Sequence, residues 1–229
     1  VHNVMVVLCV FAIIGATIGI SVAKLRKDPD AHIRKIVHVG IGTFIFIWWA
    51  FTDWWWMALF FVLPFFIILA YITYFNSDNI IGRAIGEESR TGLLFYVVSI
   101  GFMVCVLFPT HHFTAATIGI AFMVFGDAAG SIIGKRYGRH KINGKKSLEG
   151  TLAVFIVCIV IGFLVLSMYG WLGANGYYTG HDYTLDYPWQ LVLPVVAAIA
   201  AVLELYMPGD YDNLAVPITS SLLLVLLGL

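Results

Sequence analysis

The stretch FGDAAGSIIGKRYGRHKINGKKSLEG, residues 125–150, holds six of the chain's thirteen Lys and Arg, with Asp127 near one end and Glu149 at the other. Lys145, Lys146 and Ser147 stand just before a long apolar run. The start of a helix offers free N–H groups and the positive end of its dipole, which suits phosphate. Two ammonium groups, a hydroxyl and such N–H groups make a polyphosphate cradle. Asp127 follows an apolar run and so lies in or near the membrane, where an isolated carboxylate is costly. Asp127 and Glu149 have the chemistry to hold a divalent cation that bridges phosphates. Gly126, Gly130 and Gly134 recur every four residues. That spacing fits either close helix packing or the approach of a ligand to bare backbone. Gly138 and Gly144 then break the segment. The spacing is not that of G-x-x-x-x-G-K-[ST] after a strand, so a Walker A loop is rejected.

Three further clusters carry ionisable groups. ELYMPGDYDNLAVP, residues 204–217, places Glu204 in an apolar run and Asp210, Asp212 and Asn213 in a tight connection. Carboxylates and an amide at such spacing serve as Mg²⁺ ligands, as supports for those ligands, or as a general base for a hydroxyl. They also serve as turn residues and helix caps, and both uses stay open. RKIVHVG, residues 34–40, puts Arg34 and His38 four apart on one helix face, with Lys35 beside them. His38 lies a full turn inside that helix, which favours a role beyond anchoring. GRAIGEESRTG, residues 82–92, brings Glu87, Glu88 and Arg90 to a helix start, where acidic side chains are favourable in any case.

The elements that must position these groups are membrane helices. The 229 residues are 61% hydrophobic and 11% charged, and the mean hydropathy is +0.93. A soluble domain of this size cannot hide that much apolar surface. Apolar runs predict about eight helices, near 4–23, 36–52, 54–75, 92–108, 113–133, 150–170, 188–207 and 214–229. The fold class is therefore all-α, one polytopic membrane domain over 1–229, with loop 134–149 forming part of the nucleotide site. All thirteen Lys and Arg fall on alternate connections, so they share one membrane face. The positive-inside rule makes that face cytoplasmic and puts the N-terminus outside. The aromatic loop 171–189 reads as an interfacial cap on the other face. Cys9, Cys105 and Cys158 lie in apolar runs without metal-ligand spacing. A net charge of zero gives no argument for nucleic acid. Small-residue faces can pack within or between chains, so the oligomeric state stays open, a homodimer included.

GDAAGSIIGKRYGRHKINGKKSLEGT, residues 126–151, followed by Asp212, Asn213 and Pro217, resembles the CTP-dependent lipid-alcohol kinases. That family includes dolichol kinase, phytol kinase and the yeast-type diacylglycerol kinase. RKIVHVG resembles its N-terminal R-K-x-x-H element, and the order of the three elements agrees. The central motif is specific; the other two are weak alone. The family is related to the phosphatidate cytidylyltransferases, whose P-G-H-G-G and D-R-x-D signature is absent from PGDYDN, residues 208–213.

The resemblance implies transfer of the γ-phosphate of CTP to the hydroxyl of a dolichol, polyprenol, geranylgeraniol or phytol type of alcohol, giving the lipid phosphate and CDP. It implies Mg²⁺ or Mn²⁺ on Asp127, Glu149 and Asp212, with Lys146 catalytic beside them. Nucleotide contacts are expected at Gly126, Gly130, Ser131, Gly134, Lys135, Lys145, Lys146, Ser147 and Asn213. Arg34, Lys35, His38, Glu88, Arg90, Glu204 and Asp210 are expected to meet the lipid or support the site. The partners are then the lipid alcohol, CTP and the bilayer, with no nucleic acid. The membrane is the cell membrane in a prokaryote or the endoplasmic reticulum in a eukaryote. A CDP-lipid-forming cytidylyltransferase and a membrane transporter are the competing readings. The transporter fits less well, because the charges gather on one side rather than at the midplane.

Overall fold

The computed structural model describes residues 2–27, 34–75, 90–144, 146–178, 180 and 184–229. The protein is an all-α polytopic membrane protein. Among the described residues five helices are long and apolar enough to cross a bilayer. They are α1 (His2–Lys27), α3 (Trp54–Tyr74), α5 (Phe113–Tyr137), α6 (Leu148–Ala174) and α7 (Trp189–Tyr206). Three shorter apolar helices stand between and after them: α2 (Arg34–Gly42), α4 (Arg90–Phe102) and α8 (Asp212–Leu226). After Gly42, α2 tightens into two 3-10 turns, Thr43–Phe46 and Trp48–Ala50, where an unbroken helix was expected. The tightening follows the two glycines of α2, Gly40 and Gly42, which lower helix propensity there.

The helix ends divide the molecule into two polar caps. At one end His2 donates to the carbonyl of Ala50, and Asn3 pairs with Thr52. His112 meets the carbonyl of Leu229 by its Nδ1 on the 108–112 connection. The C-terminal end of α1, with exposed Lys24 and Arg26, therefore belongs to the opposite end, where α2 begins. The segment 138–147 is not a plain loop. The exposed strand β1 (Lys141–Asn143) pairs antiparallel with β2 (Lys146–Ser147). Gly144 makes the turn at φ +56°, a left-handed value that a Cβ disfavours.

The central helix is α5. Two-thirds of its apolar window is inside the protein, against 17% for α3, which faces outward. Around α5 pack α2, α6, α7 and α8; α4 packs on α8 and α3 on α4. Trp48 Nε1 donates to Thr117 of α5 at 2.8 Å, and Thr117 shares a 2.8 Å hydrogen bond with Tyr169 of α6. These bonds satisfy buried polar groups that no water reaches. Wide π turns interrupt three helices, at Ala58–Val62, Met103–Leu107 and Phe122–Gly126. The first precedes Pro64, whose ring would clash with the carbonyl four residues back in a regular helix. The last precedes Asp127.

The glycine stripe of α5 lies on α6. A Cβ at Gly130 would sit 2.7 Å from a Val154 methyl, and one at Gly150 would sit 2.9 Å from the Gly130 carbonyl. Gly126 faces Cys158 in the same row, and Gly134 faces Ser147. Gly130→Ala is therefore expected to cost about 1–3 kcal/mol of stability through overpacking. Gly15→Ala is the control, because nothing lies within 4 Å of that position. Thermal unfolding of both variants checks it: equal midpoints would show that the crossing tolerates a methyl.

Candidate functional site

Three carboxylates from three helices line one narrow cleft at the end where α2 begins. Asp127 starts the regular turn of α5 after its π segment, Glu204 comes from the last turns of α7, and Asp212 opens α8. Phe122, Met123, Val154 and Val216 form the apolar floor, and Asn213 completes the lining. The empty volume is about 220 Å³.

Lys146 reaches this cleft from β2. Its ammonium donates to Asp212 Oδ2 at 3.1 Å, to Glu204 Oε1 at 3.2 Å and to the Glu204 backbone carbonyl. All three side chains are largely shielded, with 27%, 12% and 16% exposure for Lys146, Glu204 and Asp212. Burial alone would lower the pKa of Lys146, but Glu204 and Asp212 more than offset it and hold the pKa above the usual lysine value. Lys146 is thus a fixed cation between two carboxylates. The hairpin is pinned beside it, because Asn143 Nδ2 donates to the Leu205 carbonyl at 2.9 Å.

The turn before α8 is fastened to α4. Asp210 Oδ2 accepts from Thr91 at 2.8 Å, and buried Asn213 donates from Nδ2 to the Gly92 carbonyl at 3.2 Å. Ser99 donates to the Asn213 carbonyl at 2.6 Å. Asp212 accepts from the Asn213 N–H through Oδ1, leaving Oδ2 for Lys146. Gly209 supplies the left-handed turn at φ +57°. On the far wall, buried His38 of α2 lies 3.9 Å by Nε2 from Asp127 Oδ2. Its ring packs on Tyr96 of α4, with centroids 4.9 Å apart.

So the structure brings together Asp127, Lys146, Glu204, Asp212 and Asn213, with His38 behind Asp127 and Asp210 behind Asn213. It does not bring Glu149 to them. Glu149 binds His140 instead, with Oε1 2.7 Å from Nδ1 and both oxygens 3.3 Å from the His140 N–H. Ser147 is buried and caps α6, accepting from the Gly150 N–H at 3.3 Å. Gly126, Gly130 and Gly134 are occupied by the α6 crossing, and Ser131 sits half-buried among them. Lys135 is exposed one turn from the hairpin. Arg34 and Lys35 open α2 and Arg90 opens α4; Lys145 and Glu88 lie outside the described residues. Tyr96, Asn143 and the π turn were not read from the sequence. The signal for Tyr96 was there, as a lone phenol in an apolar helix.

The chain resembles curated proteins over most of its length. It is 31% identical over 208 residues to the phytol kinase of Synechocystis sp., covering 87% of this chain and 81% of that one. It is 32% identical over 221 residues to a Triticum aestivum protein named "Probable phytol kinase, chloroplastic", covering 90% and 71%. The chain belongs to the polyprenol-type lipid kinases. A shorter match reaches the dolichol kinase of Saccharomyces cerevisiae, 51% identical over 49 residues, 19% of this chain and 9% of that one. No family model and no solved structure matches.

A divalent cation, which the resemblance implies, would have to fit the carboxylates of this cleft. Among the described residues no three His, Cys, Asp or Glu side chains form a ready metal cage. Mg²⁺ does not require one. It keeps several waters and binds through one or two carboxylates plus substrate phosphates. Asp127 and Asp212, facing the same cleft, meet that requirement.

Proposed function

We propose that this lipid kinase transfers the γ-phosphate of CTP to the hydroxyl of a membrane isoprenoid alcohol. The observation that carries the reading is the cleft where Asp127, Glu204, Asp212 and Lys146 meet at the polar end of apolar helices. Carboxylates, an amide and an apolar floor of Phe122, Met123, Val154 and Val216 there offer polar contacts for phosphate and apolar contacts for a lipid. The choice of cytidine rests on the likeness of residues 126–151 to the CTP-dependent kinases. The face is read as cytoplasmic because the basic residues gather there.

Phosphoryl transfer needs positioning and charge neutralisation more than covalent work by the protein. The alcohol oxygen bonds to the γ-phosphorus, the bond from that phosphorus to the β,γ-bridging oxygen breaks, and CDP leaves with the electron pair. Lys146, with Lys145 beside it in the chain, supplies positive charge to the phosphates. Asp127 and Asp212 would hold Mg²⁺, with Glu204 keeping Lys146 in place. The bound ion would neutralise developing charge on the phosphate oxygens. The hydroxyl proton passes to a cleft carboxylate or to water as the bond to phosphorus forms.

The test uses purified protein in detergent with Mg²⁺, γ-labelled CTP or ATP, and a panel of phytol, polyprenols, diacylglycerol and phosphatidate. Label in an isoprenoid phosphate with stoichiometric CDP is expected, and chelation of the metal should abolish it. Pyrophosphate release without label in lipid would overturn the kinase chemistry. Equal use of ATP would overturn the choice of donor.

A further inference from the structure

The hydroxyl of Tyr96 is buried, and it has no hydrogen-bond partner among the described residues. Tyr96 is 4% exposed in an apolar helix. An unsatisfied hydroxyl in such surroundings costs about 1–3 kcal/mol, and a phenylalanine would fill nearly the same volume without that cost. The position of the hydroxyl is not arbitrary. Tyr96 lies one turn inward from Gly92, whose carbonyl accepts from the cleft-lining Asn213. Its ring packs on His38, which reaches Asp127 at 3.9 Å. The hydroxyl itself points at Gly42, one turn beyond His38 on α2: a Cβ there would come within 2.9 Å of it and within 2.7 Å of Val124. Glycine leaves bare backbone beside the phenol. The hydroxyl therefore sits at the junction of α2, α4 and the π turn of α5, two of whose residues, Phe122 and Met123, line the cleft.

We infer that the Tyr96 hydroxyl receives the hydroxyl of the substrate alcohol and selects lipids that carry one. The inference deepens the lipid-alcohol kinase reading and rests on it for the identity of the ligand. An alcohol oxygen has a donor and two acceptor sites, so it can satisfy the phenol and still present a lone pair toward the phosphate side of Asp127. The polar end of the cleft already holds its own cation and amide. Beside the phenol, the buried His38 ring is the neighbouring polar group from α2. The pairing also explains discrimination: a site with a buried polar group rejects an analogue lacking the matching group, because the phenol is then left unpaired.

The experiment compares wild type with Tyr96→Phe in lipid nanodiscs, using phytol and phytane, the hydrocarbon of the same branching without the hydroxyl. Thermal unfolding and steady-state kinetics are both read. Wild type is expected to be stabilised more by phytol than by phytane, and Tyr96→Phe is expected to lose that excess. The KM for the alcohol should rise about tenfold, the worth of one buried hydrogen bond, while the KM for the nucleotide holds. If the variant keeps the phytol excess, or gains stability with an unchanged alcohol KM, the hydroxyl is a structural orphan and the inference falls. A phytol excess that depends on Tyr96 in a protein that phosphorylates no alcohol would instead sink the kinase reading and keep the hydroxyl site. Turnover with unchanged alcohol KM in the variant would do the reverse.

Discussion

Asp127→Asn should lower turnover by on the order of 10³-fold and leave the fold intact. The amide keeps the shape of the side chain and removes its charge. Asp127 is the carboxylate that joins the two walls of the site, lying 3.9 Å from His38 and lining the cleft with Glu204 and Asp212. A charge placed to hold a cation or take a proton in the transition state is worth about 10²–10⁴ in rate. Stability should not fall, because the neighbouring Glu204 and Asp212 lose a like charge from their surroundings. Lys24→Ala, at the exposed end of α1, is the matched control and should keep wild-type turnover. The measurement is the initial rate of lipid phosphate formation at saturating nucleotide, alongside the thermal midpoint. Activity of Asp127→Asn within threefold of wild type would remove Asp127 from the chemistry.

The apolar stretches and the side on which the charges gather were legible because both follow from transfer free energy, which depends on composition. His38 could be set against the site from its depth alone, since an ionisable group one turn inside a membrane helix needs a partner. Glu149 was misleading for a geometric reason. It follows Lys145, Lys146 and Ser147 in sequence, but Ser147 starts a helix and Gly150 is pressed onto Gly130. One residue is about 100° around a helix, so Glu149 turns away from the glycine crossing and back to His140. Glu204 shows the converse. Nothing in the spacing of residues 146 and 204 tells that the hairpin folds onto the end of α7, because the contact depends on Asn143 pinning the turn to Leu205. The glycine row kept both of its meanings until α6 was seen to fill it. The π turn before Asp127 has no sequence signature comparable to a proline, yet it sets the direction in which Asp127 points.

Lys146→Met should remove activity and also destabilise the protein, which separates it from Asp127→Asn. Methionine keeps the length of the stem but leaves Glu204 and Asp212 shielded and uncompensated. Breaking a buried pair by removing one partner costs about 3–5 kcal/mol, and discounting for the 27% exposure of Lys146 puts the loss nearer the lower figure. The pH dependence carries the sign. The pKa of Lys146 is raised in the folded state, so its contribution is complete below the ordinary lysine pKa and is lost as pH climbs through the raised value. The gap between wild type and Lys146→Met should accordingly be constant from neutral to mildly alkaline pH and narrow only beyond it. The triple variant Lys146→Met, Glu204→Gln, Asp212→Asn removes the stranded charges and should recover most of the stability. It should recover none of the turnover, because the phosphates still lack the Lys146 cation and the cleft has lost the Asp212 charge as well. Recovery of activity in the triple variant would mean that neither Lys146 nor Asp212 takes part in the chemistry. Loss of activity without loss of stability in Lys146→Met would mean that the two carboxylates find another cation, and that the ion pair is not what closes this end of the bundle.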